Sequence, residues 1–148
     1  MIKGILQNPY VVLISRIVLG ALFIYASIDK IAHPLAFAQV THHYRLAPPG
    51  LINIIAIVMP WIELTAGIFL IIGFKVKGAD LVIGCMLIFF IVVLSITIAR
   101  GINVSCGCFT TSTAVKSNLV LRIIEDIGML ILGLHIFFFY KGKAIKAI

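Results

Sequence analysis

The sequence predicts an all-α membrane protein: a four-helix transmembrane bundle with both termini in the cytoplasm. Three observations carry that expectation. Hydrophobic residues make up 62% of the chain and charged residues only 11%; the mean hydropathy is +1.21; and four continuous apolar runs each approach the ~20 residues a helix needs to cross a bilayer. Soluble domains are ~45–50% apolar and ~25% charged, and a chain of 148 residues cannot hide this much apolar surface in its own interior. The formal charge of +7 would suit nucleic acid in a soluble protein, but here Lys and Arg punctuate the apolar runs. A soluble enzyme, a disordered chain and a nucleic-acid binder are excluded, and the lipid bilayer is the first partner. The length allows a single domain, 1–148.

The spans are placed near 10–28, 51–74, 79–99 and 119–140, leaving loops 29–50 and 100–118 on one side and a short turn on the other. Continuous runs, rather than alternating ones, argue against outer-membrane strands. The first run has the outline of a signal peptide, with Lys3 ahead of an apolar stretch and a small residue at Ala26. Since the chain begins at Met1, this segment is expected to be retained as a span. Four spans put Lys3, Lys75, Lys77, Lys141, Lys143 and Lys146 on one side, against Lys30, Arg45, Arg100 and Lys116 on the other. The positive-inside rule then places the termini in the cytoplasm and the two longer loops outside, in a bacterial inner membrane.

Small and polar residues in a lipid-embedded bundle should face its axis. The first span offers Arg16, Gly20, Phe23, Ser27 and Lys30 as one stripe, and the second Ala56, Pro60, Glu63 and Gly67. The third offers Gly84, Ser95 and Ala99, and the fourth Arg122, Asp126, Met129 and Gly133. At ~1.5 Å per residue, Arg16 and Glu63 lie at similar depth from the inner face, so they are expected to pair. That pair is either a clasp between helices or a proton or ligand relay. Trp61, well inside the second span, either packs in the core or lines a pocket, so Arg16, Glu63 and Trp61 are the candidate cofactor-binding residues. Asp29, Lys30, Arg100, Arg122, Glu125 and Asp126 form a polar group toward the outer side, with Arg122 and Asp126 four apart on one face. Glu63, Gly67 and Gly73 in the second span and Glu125, Gly128 and Gly133 in the fourth faintly suggest two duplicated hairpins.

Of three cysteines, Cys85 stands alone in the third span and is expected to pack as a small apolar residue. Cys106 and Cys108 flank Gly107 in the outer loop, in a compartment where disulfides persist. Two thiols one residue apart can close a tight ring, and such a bond, strained and exposed, is labile and oxidising. It encloses almost no chain and so adds little loop-entropy stabilisation. Cys106 and Cys108 are therefore the candidate catalytic pair. Nearby cations lower a thiol's pKa, which makes Arg100, Lys116 and Arg122 candidates for tuning them, with Asp126 as the counter-charge to Arg122. A metal site with His42 and His43 is the alternative, but a one-residue gap fits zinc spacing poorly, and no metal is expected.

Arg16-x3-Gly20, Pro60-x2-Glu63-x3-Gly67, Tyr44-Arg45-Leu46-x-Pro48, Arg100-Gly101 leading to Cys106-Gly107-Cys108-Phe109, and Arg122 early in the last span together resemble the DoxX-like superfamily. The cysteine motif is similar to that of its methylamine-utilisation MauE branch, and the likeness covers nearly the whole chain. Members of that branch often carry Gly after the Phe, where this chain has Thr110. The resemblance implies a fold similar to vitamin K epoxide reductase and a part in maturing a disulfide-rich periplasmic enzyme subunit beside a thioredoxin-like partner. Such reductases pass electrons between thiols and a quinone. The additional Cys-x-x-Cys of those reductases is missing here, so a two-pair relay within one chain is not expected, and quinone is a candidate cofactor only.

The leading expectation is a membrane thiol–disulfide oxidoreductase, or its redox auxiliary, that exchanges the Cys106/Cys108 dithiol with a thioredoxin-like protein outside the membrane. The alternative is a non-enzymatic assembly factor or subunit of a membrane complex, with a homo-oligomer as one arrangement. A transporter has little support, since four spans enclose little room and no pair of broken helices stands out.

Overall fold

The computed structural model describes residues 2–43, 45, 47–101 and 118–140. Among these, every regular element is a helix: α1 (Ile2–Leu6), α2 (Pro9–Ala32), α3 (Pro34–His43), α4 (Pro49–Ile72), α5 (Val76–Ala99) and α6 (Leu119–Phe139). Three of them, α2, α4 and α5, are long and apolar enough to cross a membrane. The protein is therefore built for a lipid bilayer. Its apolar residues divide accordingly, into a buried set and an outward set as large as Ile14, Ile57, Trp61, Ile88 and Phe138.

Local chemistry sets the helix limits. The Asn8 side chain accepts a hydrogen bond from the Tyr10 amide at 3.1 Å, and Pro9 occupies the first helical position of α2. Pro34 ends that run, because a residue before proline is steered out of the helical region; His33 sits at φ −127°. Pro34 and Pro49 then open α3 and α4 in the same manner. At the other end of α4, Gly73 takes the left-handed conformation at φ 89°, and its amide returns to the Phe69 carbonyl. A three-residue turn leads straight into α5.

The four long helices pack in cyclic order α2–α4–α5–α6, each beside the next, and the longest interfaces are α2 with α4 and α5 with α6. Neighbours run antiparallel: Arg16 lies level with Leu70 and Ile71, while Lys30 reaches Glu63. Between α2 and α6 the same sense appears, with His135 Nε2 2.9 Å from the Leu6 carbonyl oxygen. Leu19, Phe23, Leu70, Ile83, Leu87, Met129 and Ile136 fill the middle. At the end where α2 stops, α3 folds across, burying Phe37 and packing Val40 on Val93 and Leu94 of α5.

Two expectations need correction here. The stretch 29–50, expected as a loop, holds the ten-residue helix α3. The stripe assigned to the third span also points the wrong way: Ser95 and Ala99 are exposed and Gly84 is only half-buried. The buried face of α5 runs instead through Ala79, Asp80, Ile83, Leu87, Leu94 and Thr97. This helix is apolar on every side, so small residues were a poor guide; its one interior charge, Asp80, was the better one. The stripes in α2 and α4 are buried throughout.

Candidate functional site

Two polar groups interrupt the apolar core. The first lies where α2, α3, α4, α5 and α6 approach one another. Lys30, in the last turn of α2, turns inward and donates to both carboxylate oxygens of Glu63 at 2.8 Å. Both side chains are 2% exposed. The Lys30 Nζ also lies 5.3 Å from the ring centres of Phe37 and of Phe90, within cation–π range of both. Asp126, buried in the second turn of α6, borders the same small cavity of about 20 Å³, whose apolar walls include Phe23, Leu87 and Met129. Asp126 Oδ2 has no hydrogen-bond partner among the described residues. One amine, two carboxyl groups and a water-sized space thus lie together among apolar walls, which is an expensive arrangement to build without a use.

The second group lies toward the opposite end. Arg16, 1% exposed, donates through Nε to the Leu70 carbonyl at 3.0 Å and through Nη2 to the Ile71 carbonyl at 3.2 Å. These belong to the last turn of α4, whose carbonyls have no partner within the helix, and a cation there also meets the negative end of the helix dipole. Gly73 makes room: a Cβ at that position would stand 2.7 Å from Arg16 Nη2. The Tyr140 ring lies beneath the guanidinium, its centre 5.4 Å from Cζ. Nearby, Asp80 of α5 rests against Gly133 of α6, where a Cβ would come within 3.2 Å of Oδ1. Neither Asp80 Oδ1 nor Arg16 Nη1 has a hydrogen-bond partner among the described residues.

The expected Arg16–Glu63 pair is therefore wrong. Counting depth along the two spans allowed a long arginine to bridge the difference, but Arg16 sits level with residues seven and eight positions beyond Glu63, about 10 Å along the helix. Glu63 is claimed from the other direction by Lys30, expected both in the inward stripe of α2 and in the outer polar group. Arg122 pairs at 2.7 Å with Glu125 in a half-exposed i,i+3 contact, and Asp126, not Glu125, turns into the bundle. That undoes the suggested match between Glu63 and Glu125. Trp61 is 55% exposed on the lipid-facing side of α4 rather than in the core. Cys85 is likewise exposed on α5, not packed. Arg100 is the exposed residue after α5. Cys106, Cys108 and Lys116 lie outside the described residues.

Comparison with known proteins decides the family. A family model described as "Methylamine utilisation protein MauE" matches residues 8–139. The chain belongs to the MauE family. It is 31% identical over 110 residues to a methylamine utilization protein MauE of Methylorubrum extorquens, an alignment covering 74% of this chain and 59% of that protein. A second MauE, from Paracoccus denitrificans, is 30% identical over 105 residues, covering 70% and 56%. A third, from Methylophilus methylotrophus, is 21% identical over 135 residues, covering 90% and 71%. The chain thus spans little more than half the length of the first two relatives. No solved structure matches the chain. The matched region of the MauE family runs from the N-cap of α2 to the end of α6, so both polar groups fall within it.

Proposed function

We propose that this MauE-family chain is a four-span bundle with cytoplasmic termini that serves as a membrane thiol–disulfide oxidoreductase or redox auxiliary. The reading rests on one observation: Cys106 and Cys108 stand one residue apart in the segment that joins α5 to α6. The two ends of that segment, Gly101 and Asn118, belong to the same end of the bundle as the Lys30–Glu63 pair. In the exchange, the dithiol gives two electrons and two protons to the disulfide of a thioredoxin-like partner, or takes them from its dithiol. A quinone, becoming hydroquinone, is the candidate acceptor on the membrane side. Kinship with DoxX-like proteins, and a part in methylamine utilisation such as the relatives' names carry, fit the same reading.

The fourth span is α6. Its 21 residues reach about 31 Å, close to the hydrocarbon thickness. Arg122, Glu125 and Asp126 crowd its first two turns, three charges within five residues. Asp126 turns inward and Arg122 pairs with Glu125, so the charges are placed where a spanning helix tolerates them.

Single substitutions test the proposal. Cys106→Ala and Cys108→Ala, expressed in an oxidising host, should each leave one thiol able to trap a mixed disulfide with the partner. If neither yields an adduct, and a Cys106→Ser, Cys108→Ser double variant still complements loss of the protein, the chain is instead a non-enzymatic assembly factor.

A further inference from the structure

α4 and α5 are joined by the tight turn at 73–75, yet their outward faces leave an open groove of about 630 Å³ between them. Its floor is made of small side chains, Ala66, Gly78 and Ala79, and its walls of Trp61, Ile62 and Phe69. Gly78 is not there for helix packing: a Cβ built on it would meet nothing closer than the Lys75 Cβ at 4.0 Å. The floor opens onto the groove. Lys75, at the turn end, is the single charged residue lining it; its Nζ lies 5.9 Å from the centre of the neighbouring Phe74 ring, and neither the Lys30–Glu63 nor the Arg122–Glu125 pair involves it.

We propose that this groove holds one acyl chain of an anionic phospholipid, with Lys75 against the phosphate. Length favours a lipid tail. From Phe69 to Ile57, the far end of the groove on α4, is twelve residues or about 18 Å, comparable to one leaflet of a ~30 Å hydrocarbon core. Position favours a headgroup contact at Lys75. Helices of 24 residues extend ~36 Å, so the turn between them reaches the headgroup layer. A lysine there carries its charge to the interface while its methylenes stay on apolar surface, and its positive φ of 44° fixes the direction in which the chain leaves the turn. Charge favours an anionic lipid over a zwitterionic one, at about 1 kcal/mol per lysine near the surface, or roughly fivefold.

Native mass spectrometry of the full chain, in mild detergent with equimolar phosphatidylglycerol and phosphatidylcholine, tests this. Wild type should retain one phosphatidylglycerol with about fivefold preference. Gly78→Leu, which fills open space and leaves the bundle's interior contacts alone, should lose the bound lipid. Lys75→Gln should keep a lipid but lose the preference, while Lys3→Gln keeps both. Equal retention of the two lipids by wild type would overturn the proposal, as would a Gly78→Leu protein that binds as wild type does. A lipid-free dimer would overturn it too, by giving the groove to a second copy of the chain.

Discussion

Gly20 of α2 and Gly67 of α4 lie so close that a Cβ on Gly20 would stand 2.8 Å from the Gly67 carbonyl oxygen, and one on Gly67 2.9 Å from that of Gly20. Without side chains at this crossing, the two backbones meet, and Arg16 and Lys30 reach α4 on either side of the contact. Gly67→Ala must push the helices apart, since a backbone oxygen cannot rotate away. It should cost about 1–3 kcal/mol, the usual range for overpacking, read as a lower midpoint of thermal unfolding in detergent. Gly84→Ala is the control. With nothing within 4 Å of its added methyl, it should be neutral or stabilising, because Gly in a helix interior is worse than Ala by ~0.5–1 kcal/mol.

The Lys30–Glu63 pair should show the asymmetry of buried ion pairs. Glu63→Gln leaves Lys30 enclosed without its counter-charge and should destabilise the bundle by about 3–5 kcal/mol, whereas Lys30→Met with Glu63→Leu should be near neutral. Unfolding of the three proteins measures this. A double variant that folds well but no longer supports thiol exchange assigns the pair to chemistry rather than to clasping.

Arg16 and Gly73 should behave as a unit. Arg16→Met removes the donors from one buried and one part-buried carbonyl, a loss of about 1–3 kcal/mol. Gly73→Ala combines the strain of a positive φ with a clash at Nη2. Once Arg16 is gone the clash is gone too, so the double variant should be more stable than the sum of its parts, with a coupling of about 0.5–3 kcal/mol. Strict additivity would show that the guanidinium does not occupy this place.

Asp126 is expected to trade stability for function. Asp126→Leu removes a buried oxygen without a hydrogen-bond partner among the described residues, a gain of about 1–3 kcal/mol, and should raise the unfolding midpoint while slowing exchange at Cys106 and Cys108. Unchanged exchange would remove Asp126 from the site.

Much of this architecture was legible in the sequence because lipid imposes long apolar runs. The α2 and α4 stripes could be read because Arg16, Lys30 and Glu63 must face inward. In α5 the apolar residues surround the helix, and periodicity carried no direction. α3 is hard to read because a ten-residue stretch that opens on Pro34 and stops short of Pro48 resembles a loop as much as a helix. The partners of Arg16 and Glu63 depended on the register of α2 against α4, which the Gly20–Gly67 crossing sets and no count of depth along a single helix reveals. A long lysine that folds back from a helix end can reach as deep as an arginine placed in mid-span.

Between the Asp80–Gly133 contact and the Asp126 cavity, α6 rises seven residues, about 10 Å, and that interval is filled by Phe23, Ile83, Leu87 and Met129. The packed hydrocarbon there acts as an electrical insulator. The Lys30, Glu63 and Asp126 group is thereby held electrically apart from the Asp80 contact, and each polar group is confined to its own end of the bundle.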